Sequence, residues 1–217
     1  SATLNVNTAY AIAGTTNIQS GLLNLGAGNA STGDLTQSGG TVSGTGNFTV
    51  TGTSTITFGD HRGSGTTILQ GPTTISSSAI RLDGGRTLRN ENTLTWSGGA
   101  ITYNNNTFAT PITGSGTINN VAGATFIASG DLATTINVSN FGGSDTGADA
   151  LFTNAGTFRK SGSTASNTTS VDVAFNNSGT VEIHNEISGP GALRISADPD
   201  PGTHLALFAA NTFTGHT

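Results

Sequence analysis

The chain has 217 residues and a net charge of −5, with 32 glycines, no cysteine and only 9% charged residues. The absence of cysteine excludes a disulfide-stapled domain and a thiolate metal site. The seven basic residues form no patch, so a nucleic acid is not expected as a partner. No stretch of 18 apolar residues occurs, and the sequence predicts no span across a membrane.

Threonine, valine, isoleucine and phenylalanine alternate with polar residues along the chain, and glycine or asparagine interrupts the alternation. A period of two is typical of strands that have one solvated face. No run shows the 3.6-residue period of an amphipathic helix. The sequence therefore predicts an all-β fold.

A repeat starts at residue 46. Residues 46–56 and 65–75 share the pattern Gly-x5-Gly-x3-Ile at an offset of 19, residues 85–96 follow 20 residues later, and residues 116–126 repeat the theme. Offsets of this size are typical of one coil of a parallel β-solenoid. The alternative is an antiparallel sandwich, in which glycine and asparagine mark hairpin turns.

We therefore predict one parallel β-helix (β-solenoid) over residues 1–217, with about ten coils of 19–23 residues and longer loop insertions. No cap is evident at either end, so we expect a segment of a longer repeat protein. Four irregular stretches are predicted to leave the rod as loops: 26–34, 104–109, 142–150 and 197–203.

Charged residues gather within this repeat. Asp60, His61 and Arg62 are followed by Asp83, 23 residues after Asp60, and then by Arg86. An offset of one coil predicts that the two carboxylates stack on one side of the rod as a surface cluster. A carboxylate base beside a cation that neutralises a uronate is the chemistry of a polysaccharide lyase. The alternative is a solvated Asp-Gly turn with ion pairs, since no lysine lies nearby.

Two aromatic residues, Trp96 and Tyr103, flank the Gly98-Gly99 pair. Exposed aromatic rings can stack on sugar rings, so both are candidate sugar-binding residues. The alternative is that they pack on the rod.

Two groups of residues are candidate metal ligands. Asp145 and Asp149 lie in a Gly-rich stretch that lacks the calcium-loop pattern. Glu182, His184 and Glu186 alternate with apolar residues and are expected on the wet face of one strand. Neither group meets a metal motif, so no metal and no cofactor is predicted.

A second motif recurs with the form apolar-x-Asn-x-(Gly/Asn)-Thr-apolar. Residues 152–158 and 175–181 match at an offset of 23, and residues 88–94 and 118–124 have the same shape. Stacked asparagine amides can bond each other from coil to coil, and Phe152 is predicted to stack on Phe175. The residues predicted to face inward are Phe48, Val50, Ile56, Ile68, Ile75, Leu88, Leu94, Phe152, Phe158, Val181 and Ile183.

The last thirty residues carry the most specific signature. Residues 187–193 read Ile-Ser-Gly-Pro-Gly-Ala-Leu, Leu205-Ala206-Leu207 follows, and residues 210–215 read Ala-Asn-Thr-Phe-Thr-Gly. Residues 187–217 thus resemble the autotransporter-associated β-strand repeat of bacterial surface proteins. The resemblance implies a parallel β-solenoid outside the cell, exported across the outer membrane by a C-terminal translocator.

Three functions are compatible with these observations. The first is a non-enzymatic structural or adhesive passenger segment of a bacterial surface protein, whose partners are a host or neighbouring cell surface, glycans or other copies of itself. The second is a polysaccharide lyase-like enzyme on the same fold, although no nucleophile elbow or phosphate loop is present. The third is an ice-binding, Thr-rich solenoid, which requires the same threonines in every coil, and these lapse after about Thr74.

Overall fold

The computed structural model describes residues 2–76, 80–104, 114–129, 134–139, 146–162, 168–183 and 205–206. Every regular element within these ranges is a β-strand. The strands are β1 (Thr3–Asn5), β2 (Tyr10–Ile18), β3 (Leu22–Asn24), β4 (Ala30–Gln37), β5 (Thr41–Ser43), β6 (Phe48–Val50), β7 (Ser54–Ile56), β8 (Gly59–His61), β9 (Thr66–Leu69), β10 (Thr73–Ile75), β11 (Ile80–Leu82), β12 (Thr87–Asn90), β13 (Thr93–Trp96), β14 (Ala100–Tyr103), β15 (Thr117–Asn120), β16 (Thr125–Ala128), β17 (Thr134–Val138), β18 (Leu151–Asn154), β19 (Thr157–Lys160), β20 (Thr169–Val171), β21 (Ala174–Asn177), β22 (Thr180–Ile183) and β23 (Leu205–Ala206).

All pairings among these strands are parallel, and they form two sheets. The first face of the molecule is the eight-stranded sheet, in the order β1-β3-β5-β8-β11-β14-β17-β20. The second sheet supplies two faces, because β2 and β4 are long enough to pair in both of its halves. The second face contains β6, β9, β12, β15, β18 and β21, and the third contains β7, β10, β13, β16, β19, β22 and β23.

The chain visits the three faces in rotation, and we call each round a coil. The described residues form eight coils, from β1–β2 to β20–β22, and β23 adds one more strand. Equivalent strands of successive coils are hydrogen-bonded neighbours, which gives a solenoid-like repeat of parallel strands. Such strands lie ~4.8 Å apart, so each coil extends the stack by about that distance.

The predicted repeats are confirmed by the register. Val50 pairs with Leu69 and Ile56 with Ile75, both at an offset of 19. The next offset is 21 rather than 20, because Ile75 pairs with Trp96. Later coils are longer because longer segments separate some of their strands: β14 from β15 and β17 from β18, between the first and second faces, and β19 from β20, between the third and first.

The interior is a continuous apolar column along the stack. Phe152 pairs in register with Phe175, and their ring centroids are 5.1 Å apart in an edge-to-face arrangement, as predicted. Val181 is half-buried against this core. Ile68 was predicted to face inward, and this is wrong: Thr67 and Leu69 on either side of it are fully buried, so Ile68 has the outward parity.

The predicted asparagine ladder is confirmed. The Nδ2 of Asn90 donates to the Oδ1 of Asn120 at 2.8 Å, Asn120 donates to Asn154 at 2.6 Å, and Asn154 donates to Asn177 at 2.6 Å. The first three residues are fully buried. Each of their amides also donates to the carbonyl of a turn or strand residue, as Asn120 does to Thr157 O. The ladder therefore fixes the corner between the second and third faces in four successive coils.

The loop predictions have mixed outcomes. Residues 30–34 belong to β4, so the first predicted loop is wrong over that part. Residues 105–109, 142–145 and 197–203 lie outside the described residues, as does the resemblance at 187–217 apart from Leu205 and Ala206, which pair with Val181 and Glu182. Within the described residues, no helix has the length and apolar character needed to cross a membrane.

Candidate functional site

The five charged residues singled out in the sequence lie in two neighbouring coils, on β8 and β11 and in the turn after β11. The predicted stacking of Asp60 on Asp83 is wrong, because β8 and β11 pair at an offset of 21. Asp60 is therefore opposite Arg81, and His61 is opposite Leu82. Asp83 follows Asp60 by 23 residues and lies just after the end of β11. Its backbone N–H donates to His61 O at 3.0 Å.

The cluster is also not a surface cluster. Asp60 is only 4% exposed and Asp83 2%, and His61 and Arg86 are fully buried. Asp60 accepts hydrogen bonds from the guanidinium groups of both Arg62, at 3.0 Å, and Arg81. Arg81 also lies over the ring of Phe58, 4.8 Å from its centroid. Cross-strand pairing of opposite charges stabilises neighbouring strands, and it leaves the Asp60 carboxylate engaged as an ion-pair partner.

His61 lies inside the stack, in a chain of buried polar side chains. Its Nδ1 is 2.9 Å from Thr67 Oγ1, and its Nε2 is 2.9 Å from Gln37 Oε1. The Nε of Arg86 donates to the same Thr67 oxygen at 3.2 Å. Because the side-chain oxygen of Gln37 can only accept, His61 carries its proton on Nε2 and donates it to Gln37. In the neutral imidazole Nδ1 is then an acceptor, and it receives the hydroxyl hydrogen of Thr67, whose oxygen accepts from Arg86.

Burial affects the pKa of both ionisable residues in this hydrogen-bonded group, His61 and Arg86. Desolvation, together with the nearby charge of Arg86, lowers the pKa of His61 from 6.5 to about 3. The imidazole is therefore neutral at pH 7. Desolvation also lowers the pKa of Arg86 to about 10, so the guanidinium remains protonated. A neutral imidazole with both nitrogens occupied has no free position for a substrate proton.

Arg86 is held by two backbone carbonyls of one turn, which lies two coils earlier, between β5 and β6. Its Nη1 donates to Gly44 O and Gly46 O, both at 3.3 Å. Glycine makes this possible: Gly65 lies in the coil between, and a Cβ there would come within 2.7 Å of Nη1. Likewise, a Cβ at Gly59 would collide with the Gln37 amide. These small residues give the long polar side chains room inside the stack.

The two candidate sugar-stacking aromatics are fully buried, so the proposal that they contact sugars is wrong. Trp96 is enclosed in the core, where its Nε1 donates to Gly98 O at 3.0 Å and its ring meets Phe126 edge-on. Tyr103 donates to Leu151 O at 3.4 Å, and burial raises its pKa well above the usual value. Their rings fill the interior, where a sugar has no access.

The candidate metal ligands are only partly described. Asp149 accepts from the backbone N–H of Ser115 at 3.1 Å and from its hydroxyl at 2.7 Å, and these bonds lower the pKa of the carboxyl. Glu182 accepts from Arg159 Nε at 2.7 Å. Asp145, His184 and Glu186 lie outside the described residues. Within the described part of the chain, no group of three or more metal-binding side chains occurs.

Sequence reasoning missed three residues that complete this cluster: Gln37, Thr67 and Arg81. The inward orientation of Thr67 could have been predicted from the 19-residue offset, which aligns this residue with the buried Phe48. Gln37 and Arg81 required the true register, because their partners lie 24 and 21 residues away.

Comparison with known proteins adds no assignment: no family model, no curated protein and no solved structure matches the chain.

Proposed function

We propose that residues 1–217 form a single parallel β-solenoid that serves as a structural and adhesive segment on the outer surface of a bacterial cell. The observation that carries this proposal is that the charged cluster is buried. Asp60, Asp83 and Arg86, the groups that a lyase would use at its surface, are buried and bonded to other groups of the protein. The remaining architecture is a stack of coils stabilised by in-register ladders.

The solenoid gives this function a physical basis. Each coil contacts only its neighbours, so coils can be added without redesigning the others, and the stack becomes a spacer of defined length. The absence of cysteine suits an exported chain, which passes through an oxidising compartment. The resemblance of residues 187–217 to the autotransporter-associated repeat supports the location. The partners would be glycans, another cell surface or further copies of the chain.

The experiment compares adhesion with catalysis on the same purified chain. We expect retention on cell-surface material or concentration-dependent self-association, and no release of unsaturated uronates from acidic polysaccharides. The Asp83→Asn variant is the matched control. Lyase turnover by the natural chain that disappears in this variant would replace the proposal with the enzyme hypothesis.

The architecture has its own test. A single solenoid of about ten coils at ~4.8 Å each is a rod of roughly 45–50 Å. Small-angle scattering should show an elongated particle of this length, and far-UV circular dichroism should show β-structure without helix. A compact particle would contradict the single rod.

A further inference from the structure

The third face carries columns of hydroxyl groups that only the register reveals. One column runs through the outward positions of β4, β7, β10 and β13, which pair in register. Its members are Thr36, Thr55, Thr74 and Thr95. The first three are exposed and the fourth is half-exposed.

A second column runs beside the first, two residues further along each strand. The backbone hydrogen bonds define this column. The N–H of each member donates to a carbonyl of the preceding coil, and the carbonyl belongs to the residue just before the previous member of the column. Thus Thr57 donates to Gln37 O, and Ser97 donates to Ile75 O. The second column comprises Ser38, Thr57, Ser76, Ser97, Ser129 and Ser161. We call the eight residues of the two columns in coils two to five the hydroxyl face.

The hydroxyl face is a two-dimensional array with fixed spacings. Neighbouring coils repeat every ~4.8 Å, and alternate residues of a strand are ~6.6–6.8 Å apart. The backbone ladder holds the strands, and β-branching restricts the χ1 angle of each threonine. Hydroxyl groups and methyl groups are therefore presented in a regular pattern on a rigid support.

The hydroxyls of the first column are also uncommitted. Within the described residues, Thr36, Thr55, Thr74 and Thr95 make no side-chain hydrogen bond to the protein. Outward charged groups elsewhere in the stack pair off: Asp60 with its arginines on the first face, Arg89 with Glu91 on the second, and Arg159 with Glu182 further along the third. The hydroxyl face contains no charged residue and no aromatic ring.

We propose that the hydroxyl face binds the surface of an ice crystal. A hydroxyl both donates and accepts hydrogen bonds, so each one can take the place of a water molecule in a lattice. The absence of charge matters, because an ionised group would hold liquid water and oppose its replacement. The two fixed spacings favour a partner that is itself periodic in two directions. The absence of aromatic rings argues against a sugar polymer.

The true register also corrects the sequence argument against this activity. The threonine column continues one coil beyond Thr74, to Thr95, because the next offset is 21 rather than the predicted 20. The inference is independent of the adhesive function, since it rests on this face alone.

The test uses the full 217-residue chain. We expect it to partition into a slowly growing ice hemisphere and to suppress recrystallisation, in contrast to serum albumin at equal concentration. Thr55→Tyr places a ring in the middle of the first column, and we expect this variant to lose both effects. Thr49→Tyr is the matched control: Thr49 is the outward threonine of β6, in the same coil but on the second face, and this variant should retain both effects.

A second substitution separates folding from binding. Thr55→Val keeps the shape and removes the hydroxyl, and circular dichroism should confirm its fold; we expect reduced partitioning into ice. The proposal is overturned if the natural chain does not enter ice, or if Thr49→Tyr and Thr55→Tyr lose the effect equally. It is also overturned if Thr55→Tyr abolishes retention on insoluble neutral polysaccharide or self-association while partitioning into ice is unchanged.

Discussion

The interior of the stack contains two polar systems built on opposite plans. In coils five to eight, asparagines at equivalent positions bond each other, and the same contact recurs from Asn90 to Asn177. In coils two to five, Gln37, His61, Thr67 and Arg86 form a single chain of unlike groups.

The two systems differ in how completely they satisfy their hydrogen bonds. In the ladder, each asparagine carries both a donor and an acceptor, so one residue type serves every coil. In the mixed chain, Gln37 Nε2 and Arg86 Nη2 are buried without a hydrogen-bond partner among the described residues. When coils repeat, the same hydrogen bond satisfies the equivalent buried polar group in each of them. In a non-repeating arrangement every buried polar group needs a different partner.

The largest effect is expected in the apolar part of the repeating region. Phe152→Ala removes a fully buried ring that contacts Phe126, Phe158 and Phe175, with centroids 5.1–5.5 Å away. The cavity should lower the free energy of unfolding by ~3–5 kcal/mol. Urea denaturation measures this. Phe175→Ala, at a half-buried position, should cost less; an equal cost would show that the two rings are equally enclosed.

The asparagine ladder gives the next effect. Asn120→Leu leaves the side-chain oxygen of Asn154 without its donor, whereas the Asn90 amide keeps the backbone carbonyls of Asn92 and Thr125 as acceptors. An unsatisfied buried group costs ~1–3 kcal/mol, so we expect a loss of about that size in the free energy of unfolding. The neighbouring Asn119→Ala changes an outward side chain and should lie within about 0.5 kcal/mol of the natural protein. Similar losses in both variants would contradict the ladder's role.

The mixed chain should make stability depend on pH. The folded-state pKa of His61 is about 3 and its usual value is 6.5. Between these values the unfolded chain takes up a proton that the folded chain does not, so stability falls as pH decreases. From pH 7 to pH 5 the loss from this residue is about 2 kcal/mol, at ~1.4 kcal/mol per pKa unit.

His61→Gln removes the titrating group and should reduce this pH dependence, whatever its effect on stability at pH 7. Urea unfolding of both proteins at pH 7 and pH 5 provides the comparison. If the change in stability between pH 7 and pH 5 is the same in both proteins, then the folded chain takes up a proton at His61 as readily as the unfolded chain does.

The smallest effect is expected at the surface. Arg159 and Glu182 pair at 2.7 Å, but their side chains are 33% and 14% exposed. Pairs of this kind contribute ~0–1 kcal/mol and are screened by salt. Arg159→Gln should therefore change the free energy of unfolding by less than about 1 kcal/mol, with the difference vanishing at high salt. A larger loss in the free energy of unfolding that does not depend on salt would show that this ion pair is shielded from solvent.

The sequence by itself determined the strand class, the 19- and 23-residue offsets, the stacking of Phe152 on Phe175 and the asparagine ladder. These features are repeated, so equivalent residues reveal themselves by spacing alone. The tertiary structure decided the rest, because a single added residue changes which side chains are neighbours. The 21-residue step paired Asp60 with Arg81 instead of Asp83, and carried the threonine column on to Thr95. Burial of His61 and Arg86 was likewise decided by the room that glycines leave and by the partners that earlier coils supply, which no local pattern records.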